Sequence, residues 1–446
     1  MLEEIIAKKI GVFGYGVEGR SIVNFLTLRG AKNIKVFDEK EILNRVKSGR
    51  VLYYCGPFEN QNYEGIELAF RSPGVKVQKL RAVLPGRIKI SSSTNLFFTL
   101  AKGKKIIITG TKGKSTTASI IYKILKDNKF DVYLGGNVGN SLLDFVDKLK
   151  DESYTIAELS SFQLQDFEGI ADYCVFLPIL IDHLDYHQNF NEYLQAKIQA
   201  MEGMRENSLI ILPFDKLSNK LIKNKKAKYF YYSTSEIKNG CYLYKADCIC
   251  RNGMHVSAIK ELEALSQQYK IPIVNLLAAI ALLFRLHLNI DLRNNLKEFN
   301  KPQYRIEKIA TSSGIEFLND SASTNPVSTI EALKLITEPV IVIMGGSSKN
   351  LNYHDLARVL KNSKAVRSVF LIGETADEIE KTLSNINFEK KILKKNNLDE
   401  VFEDLVLSEK DYRSVLFSPA SASFDQYQNY KDRGEAFTKL VKKYFE

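Results

Sequence analysis

At three widely spaced points of the chain, a short apolar run empties into a turn of glycine and small residues. Ile10-Gly-Val-Phe13 leads into Gly14-Tyr-Gly16-Val-Glu-Gly19, and Lys105-Ile-Ile-Ile108 into Thr109-Gly-Thr-Lys-Gly-Lys-Ser-Thr116. Pro339-Val-Ile-Val-Ile-Met344 leads into Gly345-Gly-Ser-Ser-Lys349. A strand that ends in a tight turn and passes into a helix is the unit of parallel sheets, so its recurrence predicts an α/β chain. The 446 residues suit three domains, at about 150 residues each. Boundaries are expected near residues 102 and 302. Lys102-Gly-Lys-Lys105 stands just ahead of the second turn, and Lys301-Pro302 closes a helical stretch around 271–299.

Hydrophobic residues make up 45% of the chain and charged residues 26%, a balance that excludes a disordered chain or a collagen-like fibre. The longest apolar stretch, Ile271 to Phe284, is interrupted by Asn275 and falls short of the ~20 residues that span a bilayer. Glu3, Glu4 and the turn at Gly14 leave no room for a secretory signal, so a cytoplasmic protein without membrane contact is expected. The net charge of +11 suits polyanionic partners, whether nucleic acid or a phosphorylated substrate. The lysine clusters at 216–228 and 390–395 lack interleaved stacking aromatics, so no nucleic-acid partner is expected. Cys55, Cys174, Cys241, Cys248 and Cys250 are odd in number and contain no CxxC pair. They are expected to be free thiols in or near strands, with no disulfide and no zinc role.

Gly14, Gly16 and Gly19 form GxGxxG after a strand, and Asp38 closes the next apolar run. Such glycines let the backbone approach a diphosphate, and an acid about 20 residues on bonds ribose or base groups. Taken alone, the motif also suits a nicotinamide dinucleotide. The second loop is more specific. Gly110, Thr111, Lys112, Gly113, Lys114, Ser115 and Thr116 precede a helical run. Their backbone N–H groups are expected to cradle the phosphates of ATP, with Lys114 on the β/γ-phosphates and Ser115 on Mg²⁺. The first glycine of the general GxxxxGK[ST] pattern is absent, its place being taken by Ile108.

Gly135-Gly-Asn-Val-Gly139 reads as a small-residue turn. Glu158 ends the strand-like Tyr154-Thr-Ile-Ala157, where a carboxylate beside an ATP loop is a natural Mg²⁺ ligand. His183 and His187 share an acidic turn without the HExxH glutamate, which points to a polar site rather than to zinc. Lys197 falls on a helical run, and its spacing alone makes it a surface lysine. Asn319-Asp-Ser-Ala-Ser-Thr-Asn-Pro326 follows one strand-like run. Ser418-Pro-Ala-Ser-Ala-Ser-Phe-Asp425 follows another and starts a helix-like stretch. With Lys349, these hydroxyls and amides at strand ends suit a bound anion.

In this order the blocks resemble the Mur ligase family over almost the whole chain. They read GTKGKST, GGNVG, ELSSFQL, DHLDYH, YLQAK, NDSASTNP and SPASASFDQYQNYKDRG. The continuation of the last block resembles the branch that adds D-glutamate. The resemblance implies a UDP-substrate-binding Rossmann-like domain over 1–101 and a central P-loop ATPase-type mononucleotide-binding domain over 102–301. It also implies a C-terminal amino-acid-binding Rossmann-like domain over 302–446. By the same resemblance, ATP phosphorylates the carboxylate of UDP-N-acetylmuramoyl-L-alanine, and the amine of D-glutamate displaces the phosphate. A monomer is expected.

Residue by residue, the resemblance puts Lys114 on the transferred phosphate, and Ser115 and Glu158 on one Mg²⁺. His183 and Lys197 serve a second Mg²⁺, with Lys197 carbamylated as the equivalent lysine is in the family. Asn275, Arg305 and Asp320 would join the loop in holding ATP. Thr324, Lys349, Ser423, Phe424 and Tyr430 would take D-glutamate, Lys349 also counting as catalytic beside Lys114, His183 and Lys197. Gly14, Gly16, Val17, Glu18, Asp38, Ser72 and Asn137 would meet the UDP-sugar. Five positions depart from the family pattern: Asn95, Ile271, Pro272, Tyr304 and Ala322. Glu18 is electrostatically awkward beside a diphosphate.

Overall fold

Five apolar runs near the N-terminus form strands: β1 (Ile10–Phe13), β2 (Ile34–Asp38), β3 (Val51–Cys55), β4 (Leu68–Arg71) and β5 (Lys89–Ser92). They make a parallel sheet in the order β3-β2-β1-β4-β5. The chain leaves β1 toward one edge and returns at β4 to build the other, so β1 and β4 flank a switch point. In such sheets the ligand crevice opens beyond the C-terminal ends of those strands. Gly14 and Ser72 are the residues that follow them.

The second sheet comprises β6 (Lys104–Thr109), β7 (Val132–Gly136), β8 (Tyr154–Glu158), β9 (Tyr173–Phe176), β10 (Leu209–Pro213), β11 (Lys228–Ser233), β12 (Gly240–Tyr244), β13 (Asp247–Asn252) and β14 (His255–Ile259). Its order is β14-β13-β12-β11-β10-β9-β6-β8-β7. Ile106, Ile107 and Ile108 are buried in succession, as expected of a parallel strand covered on both faces. β6 lies between β8 and β9, so its C-terminal loop has strand ends on both sides. β12, β13 and β14 form an antiparallel extension at one edge.

The third sheet comprises β15 (Glu307–Ile309), β16 (Glu316–Asn319), β17 (Val340–Gly345), β18 (Val366–Ile372), β19 (Lys391–Lys394) and β20 (Ser414–Phe417). Its order is β15-β16-β20-β17-β18-β19, parallel except at β15. Val342, Leu416, Phe317 and Val415 fill the two cores on its faces.

This computed structural model describes residues 2–183, 186–221, 226–348, 351–408 and 411–446. Lys349 lies outside the described residues. The chain forms two compact units, Met1–Ile259 with Leu277–Asn295, and Lys260–Leu276 with Leu296–Glu446. The first carries two sheets and the second carries one. No helix among the described residues is long and apolar enough to cross a membrane.

Four expectations are corrected. Lys197 is 1% exposed rather than a surface lysine. Gly135 and Gly136 belong to β7, and only 137–139 turn. No helix starts in Ser418–Asp425; a long polar loop runs on to the helix Tyr430–Phe445. Cys241 and Cys250 face each other across β12 and β13 and form a disulfide, whereas Cys55, Cys174 and Cys248 are free. Their separation of nine residues gave no sign of this, because the hairpin register is what opposes them.

Candidate active site

The loop between β6 and the helix Lys114–Asp127 is built by backbone constraint. Gly110 adopts φ +136°, and a Cβ there would fall 2.6 Å from the Leu177 Cβ and 2.8 Å from its carbonyl oxygen. Only glycine fits that approach. Gly113 caps the helix in the left-handed region and contributes no side chain. The helix N-terminus therefore presents backbone N–H groups at the loop, the arrangement that holds phosphates. Lys114 Nζ donates to the Thr111 carbonyl at 2.9 Å. Ser115 and Thr116 are buried in the first turn.

The segments beside this loop bring charge to it. Glu158, at the end of β8, is 1% exposed. Its Oε1 accepts from Asn137 Nδ2 at 3.3 Å, and its Oε2 is buried without a hydrogen-bond partner. A buried carboxylate oxygen left in that state is costly unless a cation meets it. Asn137, expected at the UDP-sugar, also donates its main-chain N–H to the Glu158 carbonyl at 2.9 Å. Lys112 Nζ lies 3.4 Å from Asp182 Oδ2. Burial alone would raise Asp182, but Lys112, His183 and Lys114 outweigh it and hold the carboxyl at about 2. Burial, with Lys114, Lys112 and Lys197 acting against Asp182, pushes the His183 imidazole down to about 4. His183 is thus neutral near pH 7, as a metal ligand must be.

Lys197 lies on the helix Phe190–Glu202, buried with its Nζ donating to the Gly110 carbonyl at 2.7 Å. One turn earlier, Tyr193 places its ring 4.8 Å from the same Nζ and shares a 2.8 Å hydrogen bond with Thr111 Oγ1. Burial, then the Lys114 charge, drives the Lys197 amine well below the ordinary lysine range, while Asp182 and Glu158 act in the opposite sense. A buried amine whose pKa is lowered becomes a better nucleophile toward carbon dioxide, and a carbamate formed there would be an anionic oxygen ligand. Ser115 and Glu158 offer hard oxygen atoms and His183 an imidazole, and a carbamate on Lys197 would add an anionic oxygen, donor chemistry that fits Mg²⁺.

At the first sheet's switch point, Ser72 Oγ donates to the Gly14 carbonyl at 2.7 Å. A Cβ on Gly19 would lie 2.0 Å from that same carbonyl oxygen, so the third glycine of GxGxxG permits the close packing. Asp38 accepts from the Tyr15 N–H at 2.6 Å and holds the turn itself. Gly16 and Val17 are exposed at the start of the helix Val17–Leu28. Glu18 is turned inward, hydrogen-bonded to Ser93 Oγ and, at 2.5 Å, to Gln163 Nε2. Burial raises its carboxyl to about 7 against the opposing Gln163 bond and Arg71 charge. The awkward charge is thereby reduced. The departure at Asn95 also has a role: its side chain bonds the Asp166 carbonyl and the Glu168 N–H.

In the second unit, Asp320 follows β16 and is buried, accepting from Ser323 Oγ at 2.5 Å and Ser418 Oγ at 2.8 Å. Burial pushes it up to about 6, with Arg305 among the groups that oppose the shift. Asn275 is buried and Arg305 half-buried in this unit. The Ser321 and Ser421–Ala422 segments are drawn together by Arg433. Its guanidinium donates to Ser321 Oγ and to the carbonyls of Ser321, Ser421 and Ala422 at 2.8–3.1 Å. Ser423 beside this segment is buried, and Phe424 stands out at 67% exposure. Ser321 Oγ also donates to the Tyr430 carbonyl.

The sequence profile of the Mur ligase middle domain matches residues 108–283, which hold the loop, Glu158, His183 and Lys197. A UDP-N-acetylmuramoylalanine–D-glutamate ligase of Thermoanaerobacter sp. (strain X514) is 31% identical over 452 residues. The match covers 98% of this chain and 99% of the relative. The chain belongs to the Mur ligase family. By fold it is similar to a MurF ligase from Thermotoga maritima in complex with ADP. That match has a TM-score of 0.59, 17% identity, and covers 99% of this chain and 97% of the other. It is also similar to the MurC UDP-N-acetylmuramate–alanine ligase of that organism, with TM-score 0.60, 17% identity and 98% and 99% covered.

This Mur ligase therefore has the three-domain α/β architecture that the motifs predict. Within its first unit, the residues expected around ATP and Mg²⁺ do gather at the ends of β6 and β8. Asn137 is held by Glu158 through both its side chain and its main-chain N–H. Asp182, Tyr193, Gln163 and Arg433 were missed from the sequence. Only Tyr193 had a usable signal, since it precedes Lys197 by one helical turn and shares its face.

Proposed function

We propose that this Mur ligase uses ATP to join D-glutamate to UDP-N-acetylmuramoyl-L-alanine, with segments 1–101, 102–301 and 302–446 serving UDP-substrate, ATP and amino acid. The carrying observation is the buried pairing of Lys197 with the Gly110 carbonyl beside an unpartnered Glu158 oxygen. Support for the acceptor comes from the full-length relative named as a D-glutamate ligase and from the SFDQYQNYKDRG block. Support for the nucleotide comes from the loop geometry and from the ADP named in a similar structure.

The loop amides and Lys114 hold the triphosphate and draw charge from the γ-phosphoryl group as it moves. The substrate carboxylate attacks the γ-phosphorus, giving an acyl phosphate and ADP. This replaces a poor leaving group with phosphate. The amine of D-glutamate then adds to the acyl carbon, and the tetrahedral species expels phosphate and loses a proton to give the amide. Two Mg²⁺ ions, one held by Ser115 and Glu158 and the other by His183 and carbamylated Lys197, would neutralise the charge that builds on the transferred phosphoryl oxygens. The Gly14–Gly19 turn, Asp38 and Ser72 present the crevice for the UDP-sugar. Thr324, Ser423, Phe424, Tyr430 and Lys349 are the amino-acid contacts. A nicotinamide enzyme built on Gly14 alone would leave the 110–116 loop and the Arg433-organised loops without a task.

The test is phosphate release from ATP with UDP-N-acetylmuramoyl-L-alanine and D-glutamate, L-glutamate, L-lysine or no amino acid. Release that requires D-glutamate and is lost in Lys114→Ala is the expected result. Release with another amino acid would move the specificity within the family, and none with any would overturn the reading.

A further inference from the structure

Cys241, Cys248 and Cys250 form a sulfur cluster that takes no part in the chemistry above. Their Sγ atoms lie within 4.8 Å of one another, and all three side chains are buried. Cys248 and Cys250 alternate on one face of β13, and Cys241 enters that face from β12 directly opposite Cys250. β9, β10 and β11 separate β12 from β6, about 19 Å at ~4.8 Å per strand, so the cluster is remote from the phosphate loop.

Two sulfurs bound to one ion at about 2.3 Å stand roughly 3.8 Å apart in tetrahedral geometry and about 4.0 Å apart in trigonal geometry. Cys248 Sγ and Cys250 Sγ are 3.8 Å apart. Among the described residues, no histidine, aspartate, glutamate or fourth cysteine joins the group. A structural zinc site uses four ligands, whereas three buried thiolates suit a softer ion of lower coordination number. The Cys241–Cys250 disulfide occupies two of the three donors, so ion and disulfide are alternative states of the same sulfurs.

We propose that, in the reduced protein, Cys241, Cys248 and Cys250 form a three-thiolate site for a soft d¹⁰ cation of the Cu(I) or Cd²⁺ type, and that the Cys241–Cys250 disulfide is the state that excludes it. Reduction by a dithiol breaks the S–S bond. Two electrons and two protons pass to Cys241 and Cys250, and the dithiol closes to its own disulfide. Binding then forms three metal–sulfur bonds and releases three thiol protons to solvent. Entry is by opening of the edge, since β13 is covered laterally only by β14, whose residues 255–258 are exposed.

The experiment uses the full chain, reduced with dithiothreitol, desalted without oxygen and titrated with Cd²⁺. Thiolate-to-cadmium charge-transfer absorption saturating near one equivalent is expected, and none in the unreduced protein. That comparison requires no substitution and so does not depend on a variant folding. Cys248→Ser is expected to weaken binding about tenfold or more, while Cys55→Ser, which removes the exposed thiol, leaves it unchanged. Absence of the absorption from reduced wild type would overturn the proposal. So would an unchanged cadmium affinity in Cys248→Ser, loss of the absorption in Cys55→Ser, or a thiol count showing that the disulfide survives reductant in the folded protein.

Discussion

Lys197 Nζ donates to the Gly110 carbonyl across 2.7 Å, which ties a buried amine to the first residue of the phosphate loop. The same contact places that amine among Lys112, Lys114, Asp182 and Glu158, all of which act on its charge. In the proposed reading, a lysine whose amine is pushed down by burial would react with carbon dioxide and, once carbamylated, act as an anionic ligand.

Lys197→Met keeps the length of the side chain and removes the amine. Phosphate release in the D-glutamate assay should fall on the order of 10²-fold or more. Wild-type activity should drop in carbon-dioxide-free buffer and return with bicarbonate, and the variant should not respond. Near-normal turnover in Lys197→Met would remove the lysine from the site.

Gly110→Ala puts a Cβ 2.6 Å from the Leu177 Cβ at φ +136°. Strain and displacement of the loop should lower the stability of the first unit by about 2–4 kcal/mol. ATP binding should weaken more than tenfold, as isothermal titration would show. The substitution Gly16→Ala meets nothing within 4 Å and should leave the loop at 110–116 unaffected.

Glu18 sets a pH dependence of stability. Its folded value is raised from 4.5 to about 7, so between those values the folded state holds a proton that the unfolded state has lost. Stability from this group is full below pH 4.5 and declines as pH rises to about 7, by up to about 3 kcal/mol. Glu18→Gln retains an acceptor for Gln163 and no charge. Urea denaturation should find it more stable than wild type at pH 8 and equal to it near pH 4. The reverse order would contradict the burial of this carboxyl.

Arg433→Met leaves the carbonyls of Ser321, Ser421 and Ala422 without their buried donor. Each unpaired group costs about 1–3 kcal/mol, so the second unit should lose about 3 kcal/mol or more in denaturant melts. Arg433→Lys, which cannot reach all four acceptors at once, should fold. Its KM for the amino acid should rise about tenfold, with a smaller change in the KM for ATP.

Much of the architecture was readable along the chain. The runs ending at Phe13, Ile108 and Met344 became the strands β1, β6 and β17, because β-branched runs and glycine turns act through near neighbours on the backbone. The phosphate loop was readable for the same reason: the glycines and Lys114 that shape it are consecutive. The polar stretch after Ser418 misled because capping-type residues resemble a helix start, while here Arg433 holds them as a loop.

The decisive properties of side chains were not readable. Lys197 meets a carbonyl 87 residues earlier, and Glu18 meets Ser93 and Gln163 from 75 and 145 residues away. Cys241 and Cys250 became partners only through the register of β12 and β13. Order of motifs, strand ends and turn chemistry followed from local backbone preference, which any sequence carries within itself. Burial, protonation and pairing came from desolvation and from charges on distant segments, and these exist only after the sheets have assembled.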